Sequence, residues 1–289
     1  MRVAAVLTLI GLLGAIYVIT IRPKLLHWGA TRAEINEALP GDSIVDRPAF
    51  DATRAITIRG RPEDVWPWLV QMGYKRAGFY GYDLIEGLGN GGDLRSARAI
   101  LPEFQNPHPG DLLPISAVAT LRFGSIAPNR YVVWEGLQTP PDGVFIWALV
   151  PLDAGHTRLI SRIRWRYLHS ASGITLGAFT EFADHVAVRA ILRGIRDRVE
   201  GRPPLSLWLQ AFEMAGWTLA LLELATGLAF ILRRTNWKRA WLLALGAGLL
   251  AEVVLYGPAP AWLNGLLPWA YLALMEWDRR RNRAIERAA

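Results

Sequence analysis

The chain has 289 residues, enough for one folded domain and several membrane spans. Its hydrophobic fraction of 52% is above that of an ordinary soluble domain, and the excess is concentrated in residues 3–21 and 205–277. The absence of cysteine excludes disulfides, thiolate metal sites and cysteine nucleophiles, and the net charge of +7 gathers beside apolar segments, which suits anionic lipid headgroups rather than nucleic acid.

Val3 to Ile21 has no charged residue. At a rise of about 1.5 Å per residue it spans about 28 Å, close to the hydrocarbon thickness of a bilayer. Arg22-Pro23-Lys24 follows with no Ala-x-Ala site, so the segment reads as an uncleaved anchor rather than a signal peptide. Residues 25–50 have few periodic apolar positions and read as an extended lead-in. Thr53 to Arg59 alternates like a strand. Pro62-Glu63-Asp64 opens a helix with apolar positions Val65, Trp66, Leu69, Val70 and Met72, and Gly73 ends it. Phe79 to Leu88 reads as a short helix or turn-rich stretch, and Gly87 to Asp93 as a glycine loop.

Ala119 to Ile126 and Arg130 to Gly136 form a predicted hairpin around Pro128-Asn129. Val144 to Val150 is a strand with Phe145, Trp147 and Leu149 on one side. Asp153 to His156 makes the turn into Thr157–Tyr167, which has period two: Leu159, Ser161, Ile163, Trp165 and Tyr167 on one face, and Arg158, Ile160, Arg162, Arg164 and Arg166 on the other. The basic ladder reads as a solvated sheet face, with lipid-headgroup contact as the functional alternative. A long helix is predicted from about Leu176 to Glu200. Its first half places Phe179, Phe182, Ala183 and Val186 together, and its second half places Val188, Leu192, Ile195 and Val199 on nearly the opposite face. The first half is expected to cover the sheet, and the second to meet membrane helices or the bilayer surface.

Three further apolar segments follow: Leu205 to Leu232, interrupted by Glu213 and Glu223, then Ala240 to Tyr256, then Ala259 to Met275. Carboxylates inside spans face other helices or a polar cavity, and helix packing is the expected role here. The loop 233–239 carries Arg233, Arg234, Lys238 and Arg239, the loop 256–260 carries no charge, and Arg279, Arg280, Arg281 and Arg283 follow the last segment. The positive-inside rule then predicts four spans, cytoplasmic termini and an extracytoplasmic middle domain, although Arg22, Lys24, Arg196, Arg198 and Arg202 flank that domain on the same side.

The order strand, helix, antiparallel strands, long helix is a helix-grip order. The stretches Ala55-Ile56-Thr57-Ile58 to Trp66-Pro67-Trp68-Leu69-Val70-Gln71-Met72-Gly73, Gly78-Phe79-Tyr80-Gly81-Tyr82-Asp83, Leu101-Pro102-Glu103-Phe104-Gln105 with Gly110-Asp111, and Thr157-Arg158-Leu159 resemble the START/Bet v 1-like (SRPBCC) superfamily, in particular bacterial polyketide cyclase/dehydrase-like members. The resemblance covers about residues 28–202. It implies an α+β fold in which a curved antiparallel sheet grips the long C-terminal helix around an apolar cavity. Fold does not fix function, since the superfamily holds lipid carriers, polyketide binders and cyclases alike.

The expected organisation is an N-terminal anchor over 1–24, a helix-grip domain over 25–203 and a membrane domain over 204–289. The expected ligand-binding residues are Trp66, Trp68, Tyr80, Tyr82, Trp134, Trp147, Trp165, Phe179 and Phe182, a heavy aromatic load that suits a flat or greasy ligand. Ordinary core is the alternative reading of any one of them. Gly87 to Gly92 matches G-x-G-x-x-G without the strand and helix that dinucleotide binding requires. Asp83, Glu86, Asp93 and Glu103 with His108 match no catalytic signature, although His185 on the long helix could meet the cavity. The histidines at 27, 108, 156, 169 and 185 lack paired ligand spacing, so neither a metal nor a cofactor is expected. The sequence thus reads as a membrane-anchored binder of a lipid or other hydrophobic small molecule. A cyclase or dehydratase-like enzyme, and a membrane interaction protein with a vestigial cavity whose Glu213, Glu223 and Glu252 mark helix contacts, are the alternatives.

Overall fold

The computed structural model describes residues 1–88, 95–166, 171–233, 237–257 and 259–288. The chain divides into two compact units, Met1–Pro23 with Leu205–Ala289, and Lys24–Pro204.

The first unit is helical. Helix α1 (Arg2–Ile16) runs through a π turn at Tyr17–Ile21 into α2 (Arg22–Leu26). Among the described residues three helices are long and apolar enough to cross a membrane: Arg2–Leu26, Leu207–Arg233 and Trp237–Tyr256. The fourth expected span, Ala259 to Met275, is not one of them. In the numbering used below, Leu207–Arg233 is α7, Trp237–Tyr256 is α8 and Ala261–Ala288 is α9. Helix α9 takes in that fourth segment from Ala261 onward, and its Trp262, Asn264, Pro268, Trp269 and Tyr271 dilute its apolar character.

The buried positions of α7, Gln210, Glu213, Gly216, Ala220, Glu223, Gly227 and Ile231, recur every three or four residues and make one stripe. Small residues on that stripe bring helices close: a side chain at Gly227 would meet the Cβ of Ala244 in α8 at 2.7 Å. Glu213 accepts a hydrogen bond from Asn264 Nδ2 at 2.7 Å, so this carboxylate joins α7 to α9. The Trp217 indole donates to the Val254 carbonyl at 3.0 Å. Glu223 is buried, and neither of its carboxyl oxygens has a hydrogen-bond partner among the described residues.

The second unit is α+β. In chain order it holds α3 (Arg32–Asn36), β1 (Phe50–Arg59), α4 (Pro62–Val70), α5 (Asp83–Leu88), β2 (Leu112–Pro114), β3 (Thr120–Ala127), β4 (Tyr131–Glu135), β5 (Gly143–Asp153), β6 (His156–Trp165) and α6 (Ala171–Val199). The strands form one antiparallel sheet in the order β1-β6-β5-β4-β3-β2. The first strand thus pairs with the last, a pairing between residues more than 90 positions apart. Pro62 in the first turn of α4 and the Asp64 carboxylate accepting from the Arg61 backbone N–H nucleate that helix where the sequence predicts it.

The long helix packs the opposite way from the sequence expectation. Its second half, with Val188, Ile191, Leu192 and Ile195, joins Ile56, Ile58, Leu149 and Leu159 of the sheet in the main core. In its first half Phe182 and Ala183 are exposed, while Asp184 and His185 are buried against β1. Residues on opposite sides of one helix can both be apolar, and periodicity does not say which side the sheet will take.

The arginine ladder is not a solvated face as a whole: Arg162 is buried, Arg158 and Arg164 are partly buried, and only Arg166 at its end is exposed. Arg162 is 4% exposed; it pairs with Asp42 at 2.5 Å and donates to Thr53 Oγ1, to the carbonyls of Glu34 and Ile35, and to the carbonyl of Glu37. Arg158 pairs with Glu34 at 2.6 Å and donates to the Gly29 carbonyl. Arg164 donates to the Asp42 carbonyl and pairs with Asp51, and Arg166 donates to the Ile44 carbonyl. The ladder therefore holds residues 29–44 across the back of the sheet. That segment is not extended: it contains α3, with a Thr31–Glu34 capping box, and a 3-10 turn at Asp42–Ile44. Apolar contacts complete the cover, with Leu39, Ile44 and Val45 against Val133, Val144 and Ile146.

Candidate aromatic site and its polar neighbours

Side chains of even number on β1 and odd number on β5 and β6 face α6. There the rings form a continuous wall. Trp147 and Trp134 lie 5.4 Å apart between centroids, Trp134 and Phe145 6.5 Å, and Phe145 and Trp165 6.0 Å with their planes at 70°. Phe123 meets Trp134 edge-on at 6.5 Å. The wall runs from Trp147, 1% exposed, to a rim at Phe145 and Trp165, which are only partly buried. Gly143 makes the rim possible: a Cβ there would sit 2.2 Å from the Trp165 ring, so only glycine lets that ring lie across the strand.

Of the nine aromatic residues expected at the site, Trp66, Trp68, Tyr80, Trp134 and Trp147 share one buried cluster, with Trp165 packed against it. Tyr82 is partly buried outside that cluster, and Phe182 is 36% exposed on the outer side of α6. The Phe179 side chain lies outside the described atoms. The expected common orientation of Phe145, Trp147 and Leu149 is present, since all three pack in the same cluster.

Two polar groups adjoin the wall. The first lies between β1 and α6. Arg54, 1% exposed, pairs with Asp184 at 2.6 Å, donates to the Leu25 carbonyl at 2.7 Å, and reaches His185 Nδ1 at 2.8 Å. A guanidinium can only donate, so His185 Nδ1 is the acceptor and the imidazole proton sits on Nε2, 3.4 Å from Glu181 Oε1. Phe50 meets the imidazole edge-on at 6.2 Å. Burial, with the Arg54 charge in support, holds the His185 imidazole below its ordinary range against the opposing pull of Glu181. Burial likewise pushes the Asp184 carboxyl up, and Arg54 pulls it back.

Folding depresses the His185 pKa, so the unfolded chain binds the proton first as pH falls. Its contribution is complete above about pH 6.5 and drains away below it, by about 1.4 kcal/mol for each unit of depression. His27 is lowered in the same direction, chiefly by burial. Full-length protein in detergent is therefore expected to lose hydrogen-exchange protection in β1 between pH 7 and pH 5, and His185→Gln is expected to flatten that slope. An equal slope in the variant would show that His185 does not carry it.

The second polar group surrounds Tyr80. Its hydroxyl donates to the Trp68 carbonyl at 3.1 Å and accepts from Gln71 Nε2 at 2.9 Å, and the Arg198 guanidinium lies 4.3 Å from its ring centroid. Tyr80 has a positive φ of 67°, and its carbonyl lies where a Cβ on Gly194 would have to go, 2.0 Å away. Glycine at 194 is thus what lets α6 approach this loop. Asp83 accepts from the Ser96 hydroxyl at 2.6 Å, and the Glu86 carboxyl is pushed up to about 7, first by burial. Glu103 and His108 are not brought to these groups; His108 forms an exposed turn with Asp111. Asp93, His169 and most of the glycine loop lie outside the described residues. No group of three or more potential metal ligands is found among the described residues.

Arg54, Asp184, Glu181 and Ser161 were not singled out from the sequence. The available signal was parity: Arg54 shares the apolar face of Ile56 and Ile58, where an arginine requires a buried partner.

No family model matches the chain, and no curated protein matches it. Among solved structures it is similar to the Zhui aromatase/cyclase of Streptomyces sp. R1128, with 15% identity over 52% of this chain and 93% of that one at a TM-score of 0.34. It is also similar to the polyketide cyclase-like protein Cgl2372 of Corynebacterium glutamicum, with 14% identity over 52% and 91% at a TM-score of 0.34. A third is protein TTHA0849 of Thermus thermophilus, with 13% identity over 52% and 97% at 0.31. No residue role follows from likeness at this level.

Proposed function

We propose that Lys24–Pro204 is a helix-grip module that holds a lipid or other hydrophobic small molecule against the aromatic wall, in a multi-pass membrane protein. The observation that carries this reading is the wall itself. Four rings in succession run from a buried core residue to a partly open rim, a surface that would gain by covering a flat or elongated apolar molecule. The three apolar helices support the membrane part, because an apolar ligand partitions into a bilayer and tethering keeps the module near its supply.

Full-length protein extracted from its native membrane is expected to release one recurrent apolar compound on organic extraction and mass spectrometry. Replacing Phe145 and Trp165 with alanine is expected to lower its yield several-fold. Wild-type protein that repeatedly yields nothing beyond bulk lipid would overturn the reading.

The proposed topology has four spans, cytoplasmic termini and the module outside, following the arginine-rich segments at 233–239 and 279–283. A single cysteine at Asp142, on an otherwise cysteine-free chain, is expected to react with an impermeant maleimide on intact cells. Protection until lysis would place the module inside.

A second reading, acid–base chemistry on the bound molecule, is favoured by one observation. Glu181 lies against an imidazole whose tautomer Arg54 fixes, so His185 would position it as a base. Conversion of an extracted ligand that stops in Glu181→Gln, with binding retained, is the outcome this reading requires.

A further inference from the structure

We infer that Glu223 is a proton-binding site within the helical unit: its carboxyl holds an exchangeable proton, as the neutral acid, while α7, α8 and α9 are packed together. It does not depend on what the aromatic wall holds. Glu223 is 4% exposed, and neither of its oxygens has a hydrogen-bond partner among the described residues. An ionised carboxylate in such a place needs a cation or several donors around it.

The surroundings supply neither. The four apolar segments of the sequence carry three carboxylates, Glu213, Glu223 and Glu252, and no lysine, arginine or histidine. On α7 itself, Glu213 stands ten positions earlier and is engaged by Asn264. On α8, Ala251 clusters with Ala220 and Ala244 abuts Gly227, so Glu223 comes level with Ala247 and Gly248, which are buried and offer no polar side chain. Glu252 lies about one turn further along α8 and adds a second acid rather than a counter-charge. On α9, Asn264 and Gly265 abut Gly216, and Leu267 packs with Ala220, so α9 runs alongside α7 and brings Tyr271 level with Glu223. The Tyr271 hydroxyl donates to the Leu243 carbonyl at 2.7 Å, so its proton is already committed. Helix α1 brings no charge between Val3 and Ile21, and Arg233 and Lys238 are exposed at the ends of α7 and α8.

A metal cation would need about six oxygen ligands, and no group of three or more potential metal ligands is found among the described residues. A proton needs no opening beside the carboxyl, and it removes the charge that burial penalises. Releasing it requires water to reach the carboxylate, and so requires the helices to part. The helices therefore carry a proton-linked step as well as apolar surface.

Infrared spectroscopy of full-length protein in lipid nanodiscs tests this. Solvated glutamates ionise near about pH 4.3, so at about pH 8 they contribute carboxylate bands alone. The wild type is expected to show a carboxylic-acid C=O band at that pH. Glu223→Gln, which copies the neutral acid in size, is expected to lose it, and Glu223→Asp, which keeps an acid, to show it displaced. Transfer to D2O is expected to shift the wild-type band, as an exchangeable proton requires. A wild-type-minus-Gln difference spectrum with carboxylate bands in place of the acid band would overturn the inference, and so would a band that D2O leaves unmoved. A band that vanishes when sodium replaces choline at constant pH and ionic strength would also overturn it, because the site would then hold a cation. Absence of any acid band in the wild type decides against the proposal even where Glu223→Gln fails to fold, and the displacement in Glu223→Asp then assigns a band that is present.

Discussion

Arg162→Ala is expected to destabilise the Lys24–Pro204 unit by about 3–5 kcal/mol, the range for removing one partner from a buried charge cluster. The side chain satisfies three backbone carbonyls, a threonine hydroxyl and the Asp42 carboxylate, with almost no solvent contact. Truncation leaves each of those acceptors buried, and each costs about 1–3 kcal/mol if water cannot reach it. The damage should be local at first. Hydrogen exchange in full-length protein should rise in residues 29–44, where Arg162 holds the lead-in, before it rises in β5. Arg162→Lys should rescue little, because one ammonium cannot reproduce the planar fork that spans these acceptors. If Arg162→Ala costs less than about 1 kcal/mol, the ladder is the solvated face that its sequence pattern implies.

Leu192→Ala and Ile195→Ala are each expected to cost about 2–5 kcal/mol, because both side chains are 0% exposed in the main core and their loss leaves cavities. They lie three residues apart and share neighbours, so the double variant should fall short of the sum. The comparison with Phe182→Ala decides which half of α6 grips the sheet. Phe182 is 36% exposed, and its truncation should shift stability by less than about 1 kcal/mol. Denaturant titration of the full-length protein in mild detergent, read by hydrogen exchange in β1 and β6, checks all three. Equal effects of Leu192 and Phe182 would contradict the packing.

The elements of this protein were legible wherever a single period ran unbroken. The alternation in 157–165, the proline and acidic start of the helix at 62, and the charge-free run 3–21 all appear as strand, helix and apolar helix. Several of the aromatic wall residues were also legible, because parity puts Phe145, Trp147 and Leu149 on one side of one strand. β2, three residues long, carries too little pattern to be seen, and Asn264 and Pro268 dilute the last apolar segment, which is not among the three helices long and apolar enough to cross a membrane.

The sequence by itself determined which residues share a face; only the tertiary structure decided what each face meets. The arginines of β6 share a side by alternation, but their burial depends on residues 29–44, more than 110 positions earlier, folding back to supply carbonyls and carboxylates. The two apolar sides of α6 are equally plain in the sequence. The sheet took the second half, and in the first the residues buried against β1 include Asp184 and His185, beside Arg54. That the buried indole N–H groups of Trp134 and Trp147 find no acceptor among the described residues was likewise invisible, because an acceptor is a property of everything packed around a donor rather than of its place in the chain.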